Sequence, residues 1–307
     1  MRDLGVVYVC RFAEGDAPVR RFLETLRDHP AGIAHDFHVI FKGFPDRSSL
    51  ERGQSLFADF SIQPIVLDDR GYDVGSYVKA AAVVSNSRLI FLNTFSQILA
   101  PDWLRKFSAA LDQPRVGIVG ATGSWQARTA GYEARALFVI RNVWRYFSAA
   151  SRNHPTISSS IPARRKTPRD VMQVAFAPVA YLYHLQHYAR FPNPHIRTNA
   201  FMMERDLLLS LRIPSFAEKE DAYRFESGRS SLTRQIIAKG LRPVVVDCNG
   251  DVFDVGDWDK SSTFWTKRQD KLLVADNRTR DYAEGTHEFQ TLLKNFAWRE
   301  PRYWLGV

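Results

Sequence analysis

The first 123 residues alternate short β-branched runs with amphipathic stretches, and that alternation confines the chain to an α/β architecture. Residues 5–10 (GVVYVC) read as a strand, and residues 18–27 as a helix with Val19, Phe22, Leu23 and Leu26 on one face. Residues 37–41 read as the next strand. A short strand at 65–67 runs into Asp68-Asp69-Arg70-Gly71, and residues 76–84 have helical character before a strand at 89–92. Residues 101–111 form a helix with proline in its first turn, followed by a strand at 116–119 ending at Gly120. This rhythm predicts a mostly parallel, Rossmann-like central sheet with helices on both faces. Such a sheet opens its binding crevice at the carboxyl ends of the strands.

The rhythm breaks over residues 124–198. Leu137, Ile140, Trp144 and Phe147 follow helical spacing, with Arg141 and Arg145 off that stripe, and residues 151–170 are polar, rich in Ser and Pro, and read as a mobile loop. The α/β pattern then returns with a strand at 196–203, a helix at 204–211, a loop at 214–228, a helix at 230–238 and a strand at 244–248. The expected organisation is a catalytic unit over 1–250, with halves at 1–123 and 199–250 flanking a basic helical insertion at 124–198. The tail, 251–307, is expected to pack on the core.

The 307-residue chain carries a net charge of +9, which points to an anionic partner. The insertion holds eleven Lys and Arg against two acids, so it accounts for the whole excess and the rest of the chain is neutral. With 45% hydrophobic residues the chain can bury a core, which excludes a disordered protein. Cys10 and Cys248 lie in separate apolar runs, which argues against a disulfide scaffold or a thiolate zinc site. The apolar run near the N-terminus is too short for a signal peptide, so a cytoplasmic location is expected. The uncharged stretch at 171–189 contains Pro178, His184 and His187 and does not read as a membrane span. Walker A, G-x-S-x-G and H-E-x-x-H motifs are absent from the sequence. His184, His187 and His195 have no carboxylate at matching spacing and read as core or surface histidines.

The stretch DDRGYDVGSYVKAA, then RLIFLNTFSQILAPDWLRKF and VGIVGAT, resembles the GT-A glycosyltransferases, in particular the family 2-like bacterial polysaccharide-synthesis enzymes with an N-x-G-x-D-x-G-like motif. TNAFMMERDLLLSL and KEDAYRFESGRSSLTRQIIAKGL resemble the acceptor-side half of that fold. Together these cover roughly residues 5–123 and 195–250. The resemblance implies a GT-A fold, a nucleotide-sugar donor and an inverting transfer to a glycan or lipid-linked acceptor in surface polysaccharide synthesis.

Under this resemblance Arg11, Lys42, Asp69, Gly71, Asp73, Gly75, Asn93 and Thr94 are the candidate donor-binding residues. Asp69 and Asp73 suit a base, ribose or sugar, and Gly71 and Gly75 allow close backbone approach. Both acids also suit helix capping. The family's Asp-x-Asp is Asn93-Thr94-Phe95 here, so the Mn2+ or Mg2+ that the resemblance implies lacks its two carboxylates, and Asn93 and Asp254 are the candidate ligands that remain. Asn93-Thr94 also reads as a strand-ending turn. Glu226 is the candidate base, with Asp221 next. Arg229 could neutralise a diphosphate or, with Trp144, Arg141 and Arg145, face the acceptor or an anionic membrane, as a peripheral protein would. A subunit interface in a homo-oligomer is the other reading of the insertion. A noncatalytic scaffold of the same fold at a membrane surface is the competing function, and nucleic acid is not an expected partner.

Overall fold

The computed structural model describes residues 3–130, 133 and 177–299. The expected insertion helix, with Trp144, Arg141 and Arg145, and the expected loop at 151–170 lie outside the described residues.

The amino-terminal half contains β1 (Leu4–Arg11), α1 (Asp16–Asp28), β2 (Asp36–Lys42), α2 (Arg47–Ser55), β3 (Ile62–Leu67), α3 (Tyr72–Val83), β4 (Arg88–Leu92), β5 (Gln97–Ile98), α4 (Trp103–Leu111), β6 (Val116–Gly120) and β7 (Gly123–Ser124). After the insertion come α5 (Ala177–His187), β8 (His195–Ile196), β9 (Ala200–Glu204), α6 (Arg205–Leu209), α7 (Lys219–Ser227), α8 (Leu232–Ala238), β10 (Arg242–Val246), β11 (Val252–Asp254), β12 (Val274–Ala275), α9 (Asn277–Glu284) and α10 (His287–Trp298). Eight strands form one sheet in the order β11-β10-β6-β9-β4-β1-β2-β3. It is mostly parallel. Strand β9 runs antiparallel to both β4 and β6, and β11 antiparallel to β10.

Side-chain alternation divides the core into two layers. On one face Val6, Tyr8, Val39, Phe41 and Ile90 meet Phe22 and Leu23 of α1 and Phe107 of α4, with Tyr8 and Phe22 stacked at 3.9 Å. On the other face Val7, Val9, Ile40, Leu89 and Phe91 meet Tyr77, Ala80 and Ala81 of α3 and Ile236 of α8. The tail packs on this second face through Trp258, Tyr282 and Trp298, and β11 completes the sheet edge.

The α/β architecture expected from the sequence is the one observed, and several boundaries move. Helix α3 begins at Tyr72 rather than near residue 76, because Gly71 takes the left-handed conformation (φ 83°) and turns the chain into the helix four residues earlier. The expected strand at 196–203 is two strands, interrupted before Ala200. The expected loop at 214–228 contains α7, whose start is held by a reciprocal capping box between Glu218 and Asp221.

Candidate functional site

The parallel strands end together at one edge of the sheet. Arg11 ends β1, Lys42 ends β2, Asp68 and Asp69 follow β3, and Asn93 and Thr94 follow β4. Because β9 is antiparallel, its start lies at this same edge, with Ala200 opposite Leu92, and brings Thr198 and Asn199 there. Two adjoining hollows open on this edge. The larger, about 890 Å3, is bounded by Arg11, Asp69, Gly71, Tyr72, Gly75 and Phe216; the smaller, about 260 Å3, by Arg11, Lys42, Asp73, Thr94 and Lys219 among others.

Lys42 is the most constrained charge in the crevice. It is 1% exposed, and its Nζ donates to the Tyr72 carbonyl. Burial lowers its pKa, and Asp73 and then Asp69 oppose that shift. Asp73, in the first turn of α3, is half-buried as a residue with its carboxyl in the buried part; burial raises its pKa, with Lys42 and Arg11 pulling the other way. Arg11 joins the cluster from above. It grips Asp69 through Nε–Oδ1 at 2.7 Å and Nη2–Oδ2 at 2.8 Å, and Glu14 through Nη1 at 2.8 Å. These bonds hold the Asp69 carboxyl below its ordinary range. Asp69 is thus an ion-pair partner, and α3 has no side-chain cap, so neither acid does the capping that the sequence also allowed. Gly43, which the motif reading did not single out, makes the close packing here feasible: it has φ 73°, and a Cβ on it would lie 2.9 Å from the Asp69 Cβ. Gly75 packs against Phe216, where a Cβ would lie 3.2 Å from the ring.

On the β9 side, Glu226 is half-buried in the last turn of α7, and its Oε1 accepts from the Thr198 N–H at 3.2 Å. The buried Tyr77 of α3 feels the charge of both Glu226 and Asp73. Its phenol is raised well above its ordinary pKa by burial first, then by Asp73 and Glu226, and its hydroxyl has no partner among the described residues. The Asn199 amide nitrogen is likewise buried and unpartnered among them, while its oxygen accepts from Thr122 at 3.0 Å. His195, 6% exposed, has its pKa lowered by burial, with Glu226 opposing. Asp221 stands apart from this group, its carboxylate accepting from the Glu218 N–H at 3.2 Å. Arg229 is exposed at the start of the next turn, its Nε bound to the Leu185 carbonyl at 2.8 Å.

The candidate metal ligands do not come together. Asn93 Oδ1 already accepts from the Phe95 N–H at 3.1 Å and the Ser96 hydroxyl at 3.0 Å, the strand-ending turn that the sequence also allowed. Thr94 is buried, and its carbonyl accepts from Tyr8 at 2.9 Å. Asp254 lies away from the other candidate, Asn93: it pairs with β10 near its amino end, in a two-pronged bond to Arg242 at 2.9 and 2.8 Å. Among the described residues no three His, Cys, Asp or Glu side chains are grouped to hold an ion. These residues do not fit a hard divalent cation.

Tertiary contacts add residues that no motif signalled. Tyr77 falls in the stretch 76–84 with helical character, and Thr198 and Asn199 in the expected strand at 196–203, with nothing in either to mark them. Arg197 was noted only for its charge, yet it makes a buried ion pair with Asp276 at 2.8 Å and lies over the Phe264 ring at 4.3 Å, fastening the tail to the crevice edge. No local motif could reveal this, since Arg197 and Asp276 are 79 residues apart.

No protein-family model matches the sequence, and no curated protein matches it. Among solved structures the chain is similar to a mannosyltransferase from Pyrobaculum calidifontis in complex with GDP-Man and Mn2+, at 13% identity and a TM-score of 0.42 over 78% of this chain and 53% of that one. It is also similar to mouse xyloside xylosyltransferase 1, at 14% identity and a TM-score of 0.37 over 80% and 86% of the two chains. Core-mannan synthase A from Aspergillus fumigatus, in its Mn/GDP form, aligns at 9% identity and a TM-score of 0.36 over 78% and 65%. The chain thus spans about half the length of the mannosyltransferase. Likenesses this distant carry neither substrate nor metal over to this chain. Among the described residues no helix is long and apolar enough to cross a membrane.

Proposed function

We propose that this protein is an inverting glycosyltransferase that moves a sugar from a nucleotide-sugar donor to a glycan or lipid-linked acceptor in surface polysaccharide synthesis. The observation that carries the reading is the fully buried Lys42 at the crevice floor, held with Asp73 and Asp69 beneath an open hollow. An ammonium kept in so desolvated a place, with Asp69 of the β3–α3 loop and Asp73 of α3 acting on it, is costly unless the site handles a charged polar ligand.

In this reading the donor diphosphate lies near Lys42 and Lys219, which neutralise the leaving group, while Asp73 accepts from sugar or ribose hydroxyls. Glu226, held on the Thr198 N–H, acts as base. The acceptor hydroxyl oxygen attacks the anomeric carbon, the bond from that carbon to the phosphate oxygen breaks, Glu226 takes the hydroxyl proton, and the nucleoside diphosphate departs with the bonding electrons. No step is routed through a metal, since Asn93 and Asp254 do not fit one.

A second reading, a noncatalytic scaffold of the same fold, is favoured by the turn that occupies the Asn93 side chain. A thermal-shift screen of UDP, GDP, dTDP and CMP sugars, with and without Mn2+, separates the two. A donor that raises the melting temperature, and is then turned over with a suitable acceptor, supports the enzyme. No shift with any donor supports the scaffold.

A further inference from the structure

A third cavity adjoins the larger hollow across Ile213 and Pro214. It measures about 340 Å3 and is bounded by His187 at the end of α5, Arg212 and Pro214 after α6, Arg224 and Phe225 of α7, and Arg229. Ile213 and Pro214 also bound the larger hollow, so a single stretch of chain separates the two spaces. Three guanidinium groups and an imidazole border this cavity, and none of its bounding residues is acidic.

Two of the three guanidinium groups, those of Arg212 and Arg229, have no acidic partner among the described residues. Arg224 approaches Glu220 at 3.8 Å, but that carboxylate also accepts the Tyr188 hydroxyl at 2.7 Å and faces Arg128 at 3.8 Å. Arg229 donates its Nε to the Leu185 carbonyl and its backbone N–H to the His187 carbonyl, which fixes the side chain against α5 with its terminal nitrogens unbonded among the described residues. Arg212 has no side-chain partner among them; only its backbone is bound, to Gln235. Nearby Arg234 donates to a neutral acceptor, Asn193 Oδ1, and its pKa is lowered by burial first and then by the Arg229 charge. Guanidinium forks match phosphate oxygens two at a time, and a concave wall concentrates their field.

We propose that this cavity binds the phosphate group of a phosphate-bearing acceptor, whose sugar end reaches past Pro214 into the crevice. The phosphate belongs either to a soluble glycosyl phosphate or to a lipid headgroup. The assignment rests on the glycosyl-transfer reading only in taking the bound anion for the acceptor.

Phenylglyoxal labelling of arginines in the full chain, read peptide by peptide by mass spectrometry, tests it with inorganic pyrophosphate as probe. Arg212 and Arg229 should be labelled several-fold more slowly with pyrophosphate present, while the remote, exposed Arg47 is unaffected. Unchanged labelling at both positions, or protection confined to Arg11, overturns the site. In the Arg212→Ala/Arg229→Ala variant pyrophosphate affinity should fall at least about tenfold, while the anion-free protein, lacking only the Arg229–Leu185 hydrogen bond, should still melt in one cooperative transition; equal affinity also overturns it. Protection by a hexose 1-phosphate identifies the soluble source, and protection by phosphatidylcholine vesicles doped with a polyprenyl phosphate identifies the lipid source. If neither organic phosphate protects, the acceptor assignment fails. If no nucleotide sugar binds while Arg212 and Arg229 are protected, the glycosyl-transfer reading fails and the anion site stands.

Discussion

Arg11 and Asp69 are joined by two parallel hydrogen bonds of 2.7 and 2.8 Å between the carboxyl ends of β1 and β3, across the intervening β2. The pair bridges two loops that are 58 residues apart in the chain. Its geometry, more than its energy, matters to the crevice, since both side chains are about a third or more exposed.

Replacing Asp69 by Asn should therefore cost little stability, about 0.2–1 kcal/mol, as for other exposed ion pairs. Donor affinity should fall much more, by about tenfold or greater, because the bidentate grip that sets both loops is lost. Chemical denaturation and donor titration on the same variant measure the two effects. A large stability loss would assign the pair to the fold rather than to the site.

Asp73 provides a pH test. Its folded-state pKa is raised above the ordinary 3.8, so ionising it costs stability above the raised value, and the cost is absent in acid where folded and unfolded chains are both protonated. Asp73→Asn should then stabilise the protein at neutral pH, and the gain should vanish as the pH falls below the ordinary carboxyl range. Donor affinity should drop in the same variant. Stability curves of both proteins over pH 3–8 check the sign; a gain that grows toward acid would contradict it.

Glu226 and Asp221 differ by five positions on one helix and should respond differently. Glu226→Gln should lower turnover by about 10² to 10⁴ with donor affinity intact, the loss expected for a general base. Asp221→Ala should retain activity and lose about 1 kcal/mol from the broken cap of α7. Steady-state kinetics and a melting curve for each variant make the comparison. Full turnover by Glu226→Gln would remove that residue from the mechanism.

The Arg197–Asp276 pair is a stability element. Asp276 is 1% exposed; burial pushes its pKa up, but Arg197 and Thr279 outweigh this and hold it below its ordinary value. The stabilisation is thus complete above the ordinary carboxyl pKa and lost as pH falls through the lowered one. Arg197→Ala should destabilise the protein by about 3–5 kcal/mol, since it leaves a buried charge unmatched. Urea unfolding at pH 7 measures the loss. A change under 1 kcal/mol would show that the tail is held by its aromatic packing alone.

Much of the fold was legible because it depends on local periodicity. The alternating apolar positions of β1, β2 and β4 and the apolar face of α1 state which side chains face the core, and strand ends state where a crevice opens. Lys42, Asp69 and Asp73, candidates through the GT-A resemblance, lie at that end of the sheet. Two other readings depended on alternatives that local pattern leaves open. Asn93 proved to bind its own turn, and Asp254 proved to lie away from Asn93, because β11 returns antiparallel along β10. Helix α7 was missed since its apolar positions are few and its capping box uses Glu and Asp in place of the commoner Ser or Thr.

The sequence by itself determined an α/β sheet, its two apolar layers and the acidic and basic residues at its crevice, because side-chain alternation and helical spacing act over a few neighbouring positions. The tertiary structure alone decided that Arg11 grips Asp69, that the Tyr77 phenol feels both Asp73 and Glu226, and that the antiparallel β9 delivers Asn199 to the same edge. Those relationships join residues tens of positions apart, and strand order, which no local spacing encodes, sets which of them meet.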